Sequence, residues 1–441
     1  MIRVMDDIVA DRHVQVVRAL ADMLDVTAYL VGGGLRDLFL GRAVKDLDFA
    51  LSGAAEEFPR SFAERIGGSF FWLDRERKQS RVVARREGKS LTFDFAPLRG
   101  ESITEDLLLR DFTINAMALE LADAPVFIDP LNGAGDVRER LIRACVKTSL
   151  EDDPLRLLRA IRFAVTLGFT IEAGTWDAIS IKGALLDKVA GERVRDELFQ
   201  ILAAPRVSVS LKYLCDSGLM SVLVPPPRTE IPFATVAARI QQSVRVEEMV
   251  HEAPQDSPDQ AQEVHDLLGR EVEGGITVLS LMKLAAFVSG GDGIGSPEAW
   301  ASRLRMGRKA TRMLELFSSD MAPVFASLAG RRTIRAMFHF FRDYEPAGVG
   351  LVLLGRVRGE AAESLCAELT RYYFDEYDPA GGELLLSAGE IMEMLGVGQG
   401  PEVGAAQGLL REAERRGIVN DGDEAREFLG KNLLTKHGAM R

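Results

Sequence analysis

Leu30-Val31-Gly32-Gly33-Gly34-Leu35-Arg36-Asp37, followed shortly by Lys45-Asp46-Leu47-Asp48-Phe49, decides how this chain is read. The apolar run Ala28 to Val31 reads as a strand and the glycines as a turn. Leu35 to Leu40 reads as a short amphipathic helix, Gly41 as a second turn and Leu47 to Leu51 as another strand. Residues i and i+2 of a strand point to the same face, so Asp46 and Asp48 present two carboxylates side by side. Hard cations such as Mg2+ take carboxylate oxygens and usually hold a substrate phosphate as well, while a glycine-rich turn lets backbone N–H groups approach a triphosphate. A glycine triplet alone is commonly just a turn, and Asp-x-Asp alone a solvated strand end. Their order within one continuous unit is what points to nucleotidyl transfer.

Strand-like runs recur at Phe70 to Leu73, Arg81 to Ala84, Leu91 to Phe95 and Val126 to Ile128, mixed with short helices up to about Val146, which predicts a small mixed sheet. From Pro154 the pattern turns almost wholly helical, with helices expected over Leu155 to Leu167, Trp176 to Ile181, Val194 to Leu202 and Val209 to Leu214. The class is therefore α+β, with a domain boundary near the change. The polar, acidic stretch Glu252 to Glu263 reads as a loop, and Gly290, Gly291, Gly293 and Gly295 as another.

With 441 residues the chain can form two to four domains. No apolar run approaches a membrane span, and the start Met1-Ile2-Arg3-Val4-Met5-Asp6-Asp7 does not resemble a signal peptide, so a cytoplasmic location without membrane contact is expected. Three widely spaced cysteines, Cys145, Cys215 and Cys366, form no metal pattern and suit a reducing compartment. A net charge of −12 argues against indiscriminate nucleic-acid binding, which needs a broad excess of Lys and Arg. It leaves room for local basic surface at Arg75, Arg77, Lys78, Arg81, Arg85 and Arg86, at Arg303 to Arg312, and at Arg331, Arg332 and Arg335.

The glycine and Asp-x-Asp unit resembles the first signature of the class II tRNA nucleotidyltransferase and bacterial poly(A) polymerase family, and four more follow in the expected order. Arg110-Asp111-Phe112-Thr113-Ile114-Asn115-Ala116 resembles the second, and Asp129-Pro130 through Gly133, Asp136 and Arg143 the third. Asp153-Pro154-Leu155-Arg156-Leu157-Leu158-Arg159-Ala160-Ile161-Arg162-Phe163 resembles the fourth, and Glu192-Arg193-Val194-Arg195-Asp196-Glu197-Leu198 the fifth. The resemblance implies a polymerase beta-like nucleotidyltransferase head over residues 1–146, a helical neck with a nucleotide-selecting helix over 147–205, a helical body over 206–330 and a tRNA-binding helical tail over 331–441.

It also implies roles. Asp46 and Asp48 would hold Mg2+, with Asp94 in Thr92-Phe93-Asp94-Phe95-Ala96 as a third catalytic carboxylate or, alternatively, a charge near a sheet edge. Gly32, Gly33 and Arg36 would meet the triphosphate; Arg110, Asp111 and Asn115 would meet triphosphate and ribose, with Phe112 and Ile114 in the core. The family's second Arg in that signature is Leu109 here. Asp153, Arg156, Arg159 and Arg162 recur every three residues along one helix side, and Asp153 with Arg156 would read the base edge of incoming CTP or ATP. Local rules offer plainer readings: Asp111 or Asp153 as a helix N-cap, the latter with Pro154 in the first turn, and the Glu192 to Glu197 charges as a buried ion pair.

The expected reaction is attack of a tRNA 3′-hydroxyl on the α-phosphate of CTP or ATP without a nucleic-acid template. Leu281 to Gly290 resembles the frame of a metal-dependent phosphohydrolase, but Ser289-Gly290 occupies the His-Asp place, so no hydrolase site is expected. Only Phe95 to Leu109 separates Asp94 from Arg110, shorter than in full CCA-adding relatives, which leans the reading toward CC addition. Full CCA addition, A addition, a poly(A) polymerase or an inactive RNA-binding module are the alternatives.

Overall fold

The computed structural model describes residues 8–44, 46–86, 89–226, 233–251, 258–289, 294–377, 384–398, 400–415, 418–419 and 421–434. Helix α1 (Arg12–Leu24) opens it. The Asp11 carboxylate accepts the N–H groups of His13 and Val14, and Val14, Val17, Leu20 and Ala21 form its buried face at helical spacing. Then follow β1 (Ala28–Val31), α2 (Gly33–Phe39), β2 (Asp46–Leu51), α3 (Glu57–Ile66), β3 (Ser69–Asp74), β4 (Gln79–Arg86), β5 (Lys89–Pro97), α4 (Ile103–Leu108), β6 (Ala118–Glu120), β7 (Val126–Ile128) and α5 (Gly133–Glu139).

These strands form one seven-stranded sheet in the order β3-β4-β5-β2-β1-β6-β7. Only β2 and β5 run parallel; the other neighbours are antiparallel. Alternation along β2 and β5 sends Phe49, Phe93 and Phe95 to one face, where they meet Phe58 and Phe62 of α3 and His13 of α1 with ring centroids 5.1–5.7 Å apart. That face is closed by the two helices. On the other, Val31 and Ala50 pack with Ile103 and Leu107 of α4, and the area beside them stays open.

Beyond Leu141 the described chain is nearly all helix. Its first elements are α6 (Ser149–Asp152), α7 (Arg156–Leu167), α8 (Ala173–Lys182), α9 (Gly191–Ala203) and α10 (Val207–Asp216). The six strands foreseen from alternation are present, each within two residues of its expected ends at the interior side, and β6 is an addition: three residues are too short to show a period. The expected loop over Glu252 to Glu263 is corrected in its second half, since Pro258–Gly269 is helical; residues 252–257 lie outside the described residues, as do Gly290, Gly291 and Gly293.

The chain divides into two compact units, Met1–Glu248 with Leu268–Ser318, and Met249–Leu267 with Ser319–Arg441. In the first, Val278–Val288 is buried on almost every side, and its Lys283 ammonium donates to Glu247 at 2.8 Å and to the Leu202 carbonyl at 3.0 Å. A buried charge with two acceptors is structural glue. The second unit is built on Phe325, Phe340, Phe341 and Tyr372 and on a separate cluster around Ile391, Ala406 and Leu410. Burial pushes the Cys145 thiol up to about 12 and those of Cys215 and Cys366 up to about 11, so none is a ready nucleophile. Among the described residues no helix is long and apolar enough to cross a membrane.

Candidate active site

Parallel pairing sets Asp46 opposite Thr92 and Asp48 opposite Asp94. Because Phe49, Phe93 and Phe95 face the helices, the three aspartates project from the open face. The same rung continues through Arg81 of β4, opposite Asp94, and Val31 of β1, opposite Asp48. Arg81 donates to both oxygens of Asp94 at 2.8 Å, a bidentate pair. Asp48 takes no hydrogen bond among the described residues. Burial, and after it the neighbouring Asp94 charge, push its carboxyl up to about 6 against the pull of Arg110.

Gly32 follows β1 with φ +77°, and a Cβ there would lie 2.8 Å from Oδ2 of Asp48. Only glycine fits both the backbone and the approach. Asp48 and Asp94 line a cleft of about 660 Å³ together with Leu73, Arg77, Arg99, Asp106 and Arg110. Two carboxylates on one face, one exposed and one half-buried without a bonded cation, suit a divalent ion that keeps a substrate phosphate among its ligands. Among the described residues no three His, Cys, Asp or Glu gather into a closed metal cage.

A smaller cleft of about 250 Å³ shares Arg99 and Arg110 with the first and is lined further by Asp111, Asp153, Leu155, Arg156, Arg159 and Arg193. Helix α7 begins at Arg156, so Asp153 is not its N-cap; its carboxylate instead accepts the Leu155 N–H at 3.3 Å and pairs with Arg193 at 3.0 Å. Arg156 donates to the carbonyls of Leu109, Arg110 and Ser149 at 2.8–3.2 Å. Asp111 is not a cap either. It accepts the Phe112 N–H, the Asn115 amide and two N–H groups of Arg159, the closest at 2.6 Å. Burial alone would raise its carboxyl, but Arg159 and these donors hold it below the usual carboxylate range.

From Asp111 one polar network runs through four of the sequence signatures. Arg36 donates to Asn115 at 2.8 Å and to Asp37; Arg159 reaches Glu197 at 3.4 Å; and Arg162 donates to Glu197 at 2.6 Å while lying 4.1 Å over Phe163. Arg36 and Asn115 are buried, and neither they nor Arg162 line either cleft. The charges around Glu197 are thus the buried ion pair that local rules allowed, built onto two arginines.

Sequence reading missed Asp106. Only 2% exposed, it holds Arg99 through Nε and backbone N at 2.9 and 3.1 Å and Arg110 through Nη2 and Nε at 2.8 and 3.0 Å. Its spacing of four from Arg110 was the available signal. Burial would raise this carboxyl too, but Arg110 and Arg99 bring it below its ordinary value. Leu98 N–H bonds the Leu51 carbonyl, the Glu101 N–H bonds Glu105, and Ser102 caps α4, so the link between β5 and α4 is fastened along its length.

The profile of the Poly A polymerase head domain matches residues 28–143, and that described as "Probable RNA and SrmB- binding site of polymerase A" matches residues 168–229. The chain is 41% identical over 416 residues to a CC-adding tRNA nucleotidyltransferase of Geobacter sulfurreducens, covering 94% of each chain. It is 31% identical to an A-adding tRNA nucleotidyltransferase of Deinococcus radiodurans, covering 91% of this chain and 94% of that one. A solved CCA-adding enzyme in complex with CTP shares the fold with a TM-score of 0.66 at 22% identity, covering 98% of both chains.

Proposed function

From the membership of this chain in the tRNA nucleotidyltransferase and poly(A) polymerase family, we propose that it is an enzyme extending the 3′ end of tRNA from CTP without a nucleic-acid template, and that it stops after two C residues. The observation that carries the reading is the rung Arg81–Asp94–Asp48–Val31 with Asp46 beside it, opening directly into the clefts that hold Arg110, Asp153 and Arg156.

We infer that Asp46 and Asp48 hold divalent cation, Mg2+, together with the triphosphate. Such a cation, when bound, offsets charge on the attacking and leaving oxygens of an in-line displacement. The protein supplies the rest. The bare Gly32 keeps clear the space beside Asp48 where the cation would sit between carboxylate and triphosphate, with Gly33 following in the same turn, and Arg110 faces the developing charge. Asp94, oriented by the bidentate Arg81, stands on the side from which a primer hydroxyl approaches. Asp153 accepts from the exocyclic amine that C and A present where U and G present a carbonyl, and Arg156 donates to ring acceptors of the same base. Arg36, Asn115, Arg159, Arg162 and Glu197 hold Asp111 and the start of α7 at fixed separation; their role in this reading is to position the pocket.

CC addition rests on the fastened link. Moving from CTP to ATP requires Asp153 and Arg156 to change orientation, and the Leu98 to Ser102 stretch, tied through Asp106, supplies no lever for that change. The second compact unit contains the stretch read as a tRNA-binding tail. Incubation with tRNA lacking its terminal CCA, Mg2+ and each labelled nucleoside triphosphate in turn tests the assignment. Cytidylate incorporation supports it, and no incorporation from any nucleotide removes it.

A further inference from the structure

The catalytic rung does not end at Arg81. Phe71 of β3 is paired with Arg81, so its ring projects from the same open face as Asp94 and Asp48. From strand spacing it stands about 14 Å from Asp48. Strand β3 is the edge of the sheet, and its two faces differ. Phe70 and Trp72 turn toward α3, where the Arg60 guanidinium lies 4.3 and 5.8 Å from their ring centres. Phe71 and Leu73 turn the other way and are each 51% exposed. A register shift after Trp72 brings Leu73 round to the large cleft, whose wall it forms with Arg77 beside Asp94 and Asp48. Phe71 and Leu73 together make an exposed apolar strip on an edge strand that runs into the large cleft, a fitting surface for a flat apolar group.

The site itself says which. Resting on the function proposed above, the nucleotide enters on the side of Gly32, Arg110 and Asp153, so pyrophosphate leaves there. The attacking hydroxyl must arrive from the opposite side in an in-line displacement, and the opposite side is Asp94, Arg81 and then Phe71. Arg81, paired with Asp94, and the exposed Arg77, 3.6 Å from Asp74, set guanidinium donors along that path that backbone phosphates can share. Stacked aromatic rings beside a basic groove hold unpaired bases without reading their sequence. We propose that Phe71, with Leu73 beside it, is a stacking platform for an unpaired base at the 3′ end of the RNA primer, fixing the terminal hydroxyl against Asp94.

The test uses the full chain, Mg2+, CTP and a tRNA lacking CCA. Phe71→Ala should raise KM for tRNA about tenfold while KM for CTP stays within about twofold. Phe71→Trp should restore tRNA KM, because only a flat ring is required; a loss of general stability would move both constants and would not be rescued. As a readout independent of turnover, 2-aminopurine at the primer terminus should be quenched on binding to the wild type and to Phe71→Trp, and not to Phe71→Ala. Unchanged tRNA KM and unchanged quenching in both Phe71→Ala and Leu73→Ala overturn the proposal while leaving the enzymatic assignment standing. A concentration-dependent dimer that Phe71→Ala abolishes, with tRNA KM unaltered, gives the face to a second copy and overturns it too. A wild type that incorporates no nucleotide removes the proposed function on which it rests.

Discussion

Asp48 and Asp94 face each other across one rung of parallel strands, yet only Asp94 has a bonded cation, the two-pronged Arg81. The asymmetry makes Asp48 the group that registers the charge of the site. Its folded value of about 6 lies above the ordinary 3.8 of the unfolded chain. Between those values the folded state keeps a proton that the unfolded state has lost, so this group's contribution declines as pH rises through the window. Above about pH 6 the metal-free protein bears the full cost, on the order of 3 kcal/mol. Asp48→Asn should therefore raise the metal-free Tm at pH 7.5 by about 2–5 °C and leave it unchanged near pH 4. Saturating Mg2+ should close the gap by stabilising only the wild type. Equal melts at pH 7.5 without metal would contradict the electrostatic account.

Catalysis should respond in the opposite sense. Asp46→Ala and Asp48→Ala remove the proposed cation ligands, whose effect is felt chiefly in the transition state, worth several kcal/mol or about a thousandfold in turnover. Cytidylate incorporation is expected to fall by at least that factor, while tRNA affinity measured by filter binding stays near wild type. Near-normal turnover in both variants would move the metal site elsewhere.

The product should be tRNA ending in two added C residues even when ATP is present, which sequencing of the 3′ ends will show. Efficient completion to CCA would defeat this while keeping the nucleotidyltransferase. Asp106→Ala, which releases Arg99 and Arg110 together, should lower kcat/KM for CTP about tenfold and reduce stability by about 2 kcal/mol, since a buried anion shared by two cations is lost along with its partners' order. Full activity in that variant would show that the link needs no fastening.

Asp153 carries base choice in the proposed mechanism. Its replacement by Ala should leave UTP nearly as good a substrate as CTP, a loss of about 1–3 kcal/mol in discrimination. The ratio of kcat/KM for the two nucleotides reads it directly. A preserved preference for CTP would assign selection to Arg156 and the cleft shape.

Period-2 alternation was enough to place Asp46 and Asp48 on one face and to find six of seven strands, because the buried Phe residues leave a strong pattern. It could not pair Arg81 with Asp94, since that contact depends on the register of β4 against β5, nor could it foresee β6. The start of α7 falls one residue from its expected position, and Asp153, where Asp153-Pro154 offered a cap locally, accepts the Leu155 N–H and turns to Arg193 as well. Asp153 and Arg156 do line one cleft, but Arg36, Asn115 and Arg162 are spent on partners that come from distant parts of the chain, Asn115 and Glu197. Charge spacing reveals a polar stripe; whether the stripe meets substrate or protein is decided by tertiary packing.

A rung of paired strands also separates what evolution can lengthen from what it cannot. Deleting one residue inside Thr92 to Asp94 would slip β5 by one position and turn the carboxylate into the phenylalanine layer under α3. An insertion after Pro97, where the strand has ended, shifts no rung at all. If the Leu98 to Ser102 link sets product length as proposed, product length and bond-forming chemistry are inherited on different terms: indels near Leu98 can rewrite the first within a lineage while the second stays fixed to the residue.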